Sequence, residues 1–326
     1  MNKSGRPQDL PLSNPRADRV RDVAKLAGRP GRLKRGHFLA EGPQAVREAL
    51  KLHQQRIASG APGVVTEVFA SESCLDRFPE FEELAAGTNA RLATDEVLAA
   101  MADTVNPQGI VAVCRFLDVP LADVLDAGPR LIAVLCQVRD PGNAGTVLRA
   151  ADSAGADAVV FTTSSVDIYN PKAVRSTAGS LFHLPVALAV DPAELAAECK
   201  ARGIGVLAAD GYGQLDLDVL QDESARRRLT GSGPDSVYDL AGPTAWFFGN
   251  EAQGLSDEEL ELADHRVAVP VYGAAESLNL GTAATVCLYA SARSQRRTDA
   301  AGGAHVAGAH GEAGEPVAAG EPDRAR

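Results

Sequence analysis

The sequence predicts an α/β protein made of two units joined by a short connector. Two observations carry that expectation. Between residues 129 and 297, short apolar runs rich in β-branched residues alternate with amphipathic stretches, the pattern of a parallel sheet covered by helices. Before residue 117 the chain has strands and helices of its own, and 326 residues suffice for two cores.

The elements follow in order. Residues 1–14 are polar with Pro and Gly, and are expected to be disordered. In 15–116, "FLAEG" reads as a strand ending in a turn, and "PQAVREALKLHQQRI" as an amphipathic helix opened by Pro43. "VVTEVFAS" and "GIVAVCRF" are strand-like. Residues 117–128 read as a linker. "RLIAVLCQV" then begins the second unit as a fully apolar, buried parallel strand. Helices are expected at "NAGTVLRAADSAGA", "PKAVRSTAGSLF", "DPAELAAECKARG", "DEELELAD" and "NLGTAATVCLYASARSQRR"; the strands between them are "DAVVFT", "LPVALAV", "GVLAAD", "TAWFFGN" and "HRVAVPV". Residues 298–326, rich in Ala and Gly without periodicity, read as a disordered tail.

Composition excludes several classes. No apolar run approaches the ~18–20 residues of a membrane span, and the first residues lack the apolar core of a secretory signal. Five cysteines stand at 74, 114, 136, 199 and 287, with no spacing that suggests a metal site, so a reduced, cytoplasmic protein without metal is expected. Net charge is −11, yet residues 1–60 carry thirteen Lys/Arg against five Asp/Glu. Arg29, Arg32, Lys34 and Arg35 form a dense basic patch, readable as a solvated arm or as local contacts to nucleic-acid phosphates.

Three segments of the second unit carry chemistry. In "QVRDPGNAGTVLRAADSAGA", Asn143 could cap the following helix, and Arg149 among apolar neighbours wants a partner, a salt bridge or a phosphate. In "FFGNEAQGLSDEEL", a glycine-punctuated turn joins strand to helix, where an anion would ordinarily sit, but Glu251 would repel it. In "VPVYGAAESLNLGTAATVCLYA", Ser277 and Asn279 stand before a small-residue helix as possible caps. Neither G-x-G-x-x-G nor a G-x-x-x-x-G-K-[ST] loop is present. A cofactor with no diphosphate and a positive centre, such as S-adenosylmethionine, suits the Glu-bearing turn better.

These three segments resemble, in order and spacing, the motifs of the SpoU (TrmH-like) class of RNA ribose 2′-O-methyltransferases. The basic stretch "GRLKRGHFLAEGPQAVREAL" resembles the L30e-like substrate-binding domain often found before that catalytic domain. The combination is similar to bacterial ribosomal RNA methyltransferases. The resemblance implies a SPOUT α/β fold with a deep trefoil knot over 129–297, an obligate homodimer and S-adenosyl-L-methionine as cofactor. It also implies RNA as substrate, with large-subunit ribosomal RNA favoured over transfer RNA; a catalytically silent RNA-binding module is the rival reading. Cofactor contacts carry over to Gly249, Asn250, Gly254, Val269, Pro270 and Leu278, with Ala208 and Ala209 at a strand end. Arg149 carries over as the catalytic residue, with Asn143, Ser277 and Asn279 orienting it or the ribose. Glu251 either meets the sulfonium or braces Asn143 or the next helix. Arg29, Arg32, Lys34 and Arg35 are assigned to RNA phosphates, and Arg175 looks like a second RNA-gripping residue or a surface salt bridge.

Overall fold

A computed structural model describes residues 10–234 and 238–302. The first part contains α1 (Asp18–Ala24), α2 (Arg29–Arg35), β1 (His37–Glu41), α3 (Pro43–Ala58), β2 (Val65–Ala70), α4 (Glu72–Arg77), α5 (Glu80–Leu84), β3 (Asn89–Leu92), α6 (Asp95–Met101) and β4 (Ile110–Arg115). Its four strands form a sheet in the order β1-β4-β2-β3, antiparallel except for β2 with β3.

The second part follows α7 (Leu121–Asp126). It runs β5 (Leu131–Leu135), α8 (Pro141–Ala154), β6 (Ala158–Thr162), α9 (Pro171–Ser176), β7 (Val186–Val190), α10 (Pro192–Ala201), β8 (Gly205–Ala209), β9 (Leu215–Asp216), α11 (Leu217–Thr230), β10 (Thr244–Phe248), α12 (Asp257–Leu262), β11 (His265–Ala268) and α13 (Leu280–Gly302). Seven strands pair in the order β7-β6-β5-β10-β8-β11-β9, all parallel. Side chains alternate across a strand, and here both faces are covered. Ala133, Leu135, Trp246 and Phe248 join the core that holds α8 and α13; Ile132, Val134, Ala245 and Phe247 join the one that holds α7 and α10. That double burial explains why the strands read as unbroken apolar runs.

Several expectations need correction. Residues 1–9 lie outside the described residues, but Leu12 is paired, its N–H donating to Leu92 O (2.8 Å) and its carbonyl accepting from Thr94 N (3.0 Å). Linker 117–128 contains α7, which buries Val124 and Leu125. The helix expected over "PKAVRSTAGSLF" breaks after Ser176, because Ala178 and Gly179 take φ of +50° and +100° before a 3₁₀ turn resumes at Ser180. The last helix continues to Gly302, and 303–326 lie outside the described residues.

The two sheets share one core. Phe38 of β1 stacks against Phe182 (6.0 Å between centroids) and tilts against Tyr169 (4.7 Å), which stacks on Phe116 (4.3 Å). The Tyr169 hydroxyl accepts from the amides of Leu117 (2.7 Å) and Asp118 (2.8 Å) and donates to Asp118 Oδ1 (2.7 Å). Burial and the Asp118 carboxylate push this phenol well above its ordinary pKa.

Candidate active site

In parallel sheets a ligand crevice forms beyond the carboxyl ends of the strands, where the strand order reverses. Here β5 leads outward to β6 and β7 on one side, while β10 and β8 lie on the other. The reversal therefore falls between β5 and β10. The loops after β5, β10, β8 and β11 open there, with Phe248 level with Leu135 and Ala209, and Ala209 level with Val267.

After β5, Asp140 caps α8, its Oδ1 accepting from the amide of Asn143 at 2.8 Å. Lys172 reaches Asp140 Oδ2 at 2.9 Å, and this bond, with the Asn143 amide, holds the carboxyl below its usual pKa. The cap is thus Asp140 rather than Asn143, as an Asp before Pro at the first helical position could have signalled. That frees the Asn143 side chain, whose Nδ2 donates to Glu251 Oε1 at 2.8 Å. Asn279 Nδ2 donates in turn to Asn143 Oδ1 at 3.2 Å. Asn279 also caps α13, its Oδ1 accepting from Gly281 N at 2.9 Å. A carboxylate only accepts, so Glu251 fixes which way the Asn143 amide faces. The chain Glu251–Asn143–Asn279 ties together the three segments singled out in the sequence, and it engages Glu251 with α8.

The turn after β10 is closed by reciprocal bonds between Asn250 and Gly254 (3.0 and 2.9 Å), and Asn250 Oδ1 accepts from Ala252 and Gln253. Gly249 is required by proximity. A Cβ there would stand 2.1 Å from the Gly254 carbonyl carbon and 2.3 Å from Leu255 N. Ser256 and Glu259 form a capping box that starts α12. On the far side, Arg266 Nε and Nη2 bond Asp210 Oδ2 (2.8 and 2.6 Å), tying β11 to the loop after β8 beside Ala208, Ala209, Val269 and Pro270. Ser277 and Leu278 N–H groups make no intrachain hydrogen bond among the described residues. The donor set fits a sulfonium cofactor: residues 249–256 carry a carboxylate and no cation.

Arg149 lies on the exposed face of α8, two turns from Asn143, with no carboxylate partner among the described residues. Three of the remaining arginines are engaged by carboxylates. Arg32 is 2% exposed. Its Nε and Nη2 bond Asp167 Oδ2 (3.1 and 2.8 Å), and its Nη1 bonds the carbonyls of Leu26 (3.0 Å) and Ala27 (2.6 Å). It joins the two parts of the molecule and offers nothing to RNA. Arg35 pairs with Asp22 at 2.7 Å. Arg175 is held by Glu41 (2.9 Å) and Asp103 (3.0 Å), again across the seam. Only Arg29 and Lys34 of the patch are exposed without an acidic partner among the described residues. The patch is also helical (α2), not a loose solvated arm. Asp167, unremarked in the sequence, had no local signal, since its partner lies 135 residues away.

The five cysteines are free and buried, and burial pushes Cys74 and Cys199 up to about 11. No group of metal-ligating side chains exists among the described residues, and no helix there is long and apolar enough to cross a membrane.

Fold and site together define an α/β enzyme that takes a small ligand at the carboxyl edge of a parallel sheet. The chain belongs to the SpoU rRNA methylase family, whose model matches residues 130–289; a second model, the MRM3-like substrate-binding domain, matches 17–112. Among relatives, 23S rRNA (guanosine(2553)-2′-O)-methyltransferase RlmP of Bacillus subtilis is 33% identical over 278 residues, covering 85% of this chain and 97% of that protein. 23S rRNA (guanosine-2′-O-)-methyltransferase RlmB of Bordetella pertussis is 31% identical over 243 residues, covering 72% and 92%. The crystal structure of the SpoU methyltransferase AviRb from Streptomyces viridochromogenes in complex with AdoMet superposes with a TM-score of 0.70 at 27% identity, covering 86% of this chain and 99% of that one.

Proposed function

We propose that this protein methylates a ribose 2′-hydroxyl of 23S ribosomal RNA, with S-adenosyl-L-methionine as donor. The observation that carries this reading is the Glu251–Asn143–Asn279 chain, which supports one pocket from three segments, in a chain whose full-length relatives bear 23S rRNA 2′-O-methyltransferase names. S-adenosylmethionine supplies a methyl group on a positively charged sulfur. Gly249, Asn250, Gly254, Val269, Pro270 and Leu278, with Ala208 and Ala209, hold it mainly through backbone groups. Arg149 grips the phosphate beside the target ribose and stabilises negative charge developing on the 2′-oxygen; a guanidinium that stays protonated suits that role and not that of a base. Asn143, Asn279 and Ser277 orient it. Residues 15–116 form the RNA-binding part, with Arg29 and Lys34 as the free cations of its basic patch, and 129–297 the catalytic part, carrying a trefoil knot.

The active form is a homodimer, acting in the cytoplasm where ribosomes are built. Val286 (38% exposed) and Tyr289 (48%) lie between Thr282 and Arg293 on the outer face of α13, an amphipathic strip beside α8 that a second copy would cover. Mapping ribose methylation across total RNA with and without the protein tests the function, and an unchanged map overturns it. Arg149→Ala is expected to lower methyl transfer roughly 10²–10³-fold while calorimetry finds cofactor affinity unchanged. Equal loss of cofactor binding defeats the assigned role.

A further inference from the structure

At the seam between the two sheets, the start of α3, the segment 102–109 and the end of α9 enclose a cavity of about 260 Å³. Its floor is apolar, with Ala45, Ile110 and Val111 buried. The segment 102–109 has no regular structure but is held firmly. Glu41, 7% exposed, accepts from the amides of Asp103 (2.9 Å) and Thr104 (3.2 Å), and Arg175 bonds both Glu41 and Asp103. Three polar side chains on this braced segment, Thr104, Asn106 and Gln108, line the cavity and make no side-chain hydrogen bond among the described residues. Gln108 Oε1 lies over the entry to α3, 2.8 Å from where a Cβ on Gly42 would stand.

Amide and hydroxyl groups bond the Watson–Crick and Hoogsteen edges of an unpaired base, and the aliphatic lining takes up its apolar face. The volume falls below the roughly 300–1,000 Å³ of pockets for drug-sized ligands, which suits one heterocycle and not a whole cofactor. Both terminal guanidinium nitrogens of Arg175 are engaged by carboxylates, so the cavity presents neutral hydrogen-bonding edges and not a phosphate grip. Val105, 92% exposed on the same segment, offers an apolar surface to a neighbouring base.

We propose that this cavity receives a single unpaired base of the RNA substrate and sets the register of the RNA against the catalytic crevice. The proposal rests on the methyltransferase reading. It predicts that the double variant Asn106→Ala/Gln108→Ala, which alters two exposed side chains, raises KM for transcribed 23S rRNA about tenfold, the scale of one or two lost hydrogen bonds. Maximal rate at saturating RNA and affinity for S-adenosylmethionine stay unchanged. In parallel, transcript carrying 4-thiouridine is photocrosslinked to wild-type protein, and the crosslink is expected in the tryptic peptide 92–115. A KM within twofold of wild type, with crosslinks elsewhere only, overturns the proposal. Crosslinking to that peptide without any methylation would keep the base site and refute the methyltransferase reading. Nucleoside monophosphates are titrated by calorimetry as a third arm; micromolar binding lost in the double variant would assign the cavity to a free nucleotide and overturn the RNA assignment.

Discussion

Replacing Arg32 with alanine separates a structural arginine from an RNA-binding one. Its side chain is 2% exposed and makes four hydrogen bonds, two to the Asp167 carboxylate and two to carbonyls at the end of the turn before α2. Deleting one member of a buried ion pair costs about 3–5 kcal/mol, because the other charge is left uncompensated. The Asp167 side chain retains 19% exposure and can recruit water, so the lower bound of about 3 kcal/mol applies, roughly a 150-fold fall in the folded-to-unfolded ratio. Lys34→Ala, on an exposed side chain of the same helix, should stay within about 0.5 kcal/mol. Urea unfolding followed by circular dichroism measures both, alongside the salt dependence of RNA binding. The expected result is a destabilised Arg32→Ala that binds RNA with its salt slope intact, and a stable Lys34→Ala whose slope falls by about 0.7–0.9. An Arg32→Ala protein of undiminished stability with a weakened salt slope would refute the reasoning.

Three further perturbations test the site and the seam. Gly249→Ala places a Cβ against backbone that cannot step aside; a distortion of about 1–3 kcal/mol in the turn should weaken S-adenosylmethionine binding at least about tenfold by calorimetry, and unchanged affinity would place the cofactor elsewhere. Glu251→Gln keeps an acceptor for Asn143 and should retain most activity, whereas Glu251→Leu should lose about tenfold in methyl transfer; equal loss in both would show that charge, not bracing, matters. His183 bonds Asp152 (2.8 Å) and Glu48 (3.2 Å) across the seam. Burial lowers its pKa, but the two carboxylates outweigh that, and the net shift is upward from 6.5. Its contribution is therefore fully present below about pH 6.5 and fades as pH rises through the elevated folded value. Urea midpoints between about pH 6 and pH 8 should lose part of their slope in His183→Gln, and an identical slope would exclude this group.

Much of the second sheet was legible because parallel strands buried on both faces write themselves as apolar runs, as in "RLIAVLCQV" and "TAWFFGN". The stretch Leu215–Thr230 was not, because α11 buries only Leu217, Leu220 and Ser224 and leaves Val219 and Leu229 exposed among its charges, so its sequence shows no clear apolar face. Strand order was equally hidden: nothing local in "TAWFFGN" says that β10 inserts between β5 and β8. In the site, the three segments could be read, but Asn143 looked like a cap until Asp140 was seen to occupy that role. Arg32 was misread because its partner Asp167 is remote in sequence, and a basic run looks the same whether its charges face water or are spent inside; for Arg175 the salt-bridge reading is the one the structure shows.

The stacked rings of Phe38, Tyr169 and Phe116, with the Tyr169 hydroxyl clasping the chain at Leu117 and Asp118, set a fixed span from one half of the molecule to the other. A flexible tether would let a substrate choose its own spacing. If the first half grips RNA as proposed, the clamped hinge makes the protein a caliper: only an RNA whose folded contour matches that gap engages both jaws at once.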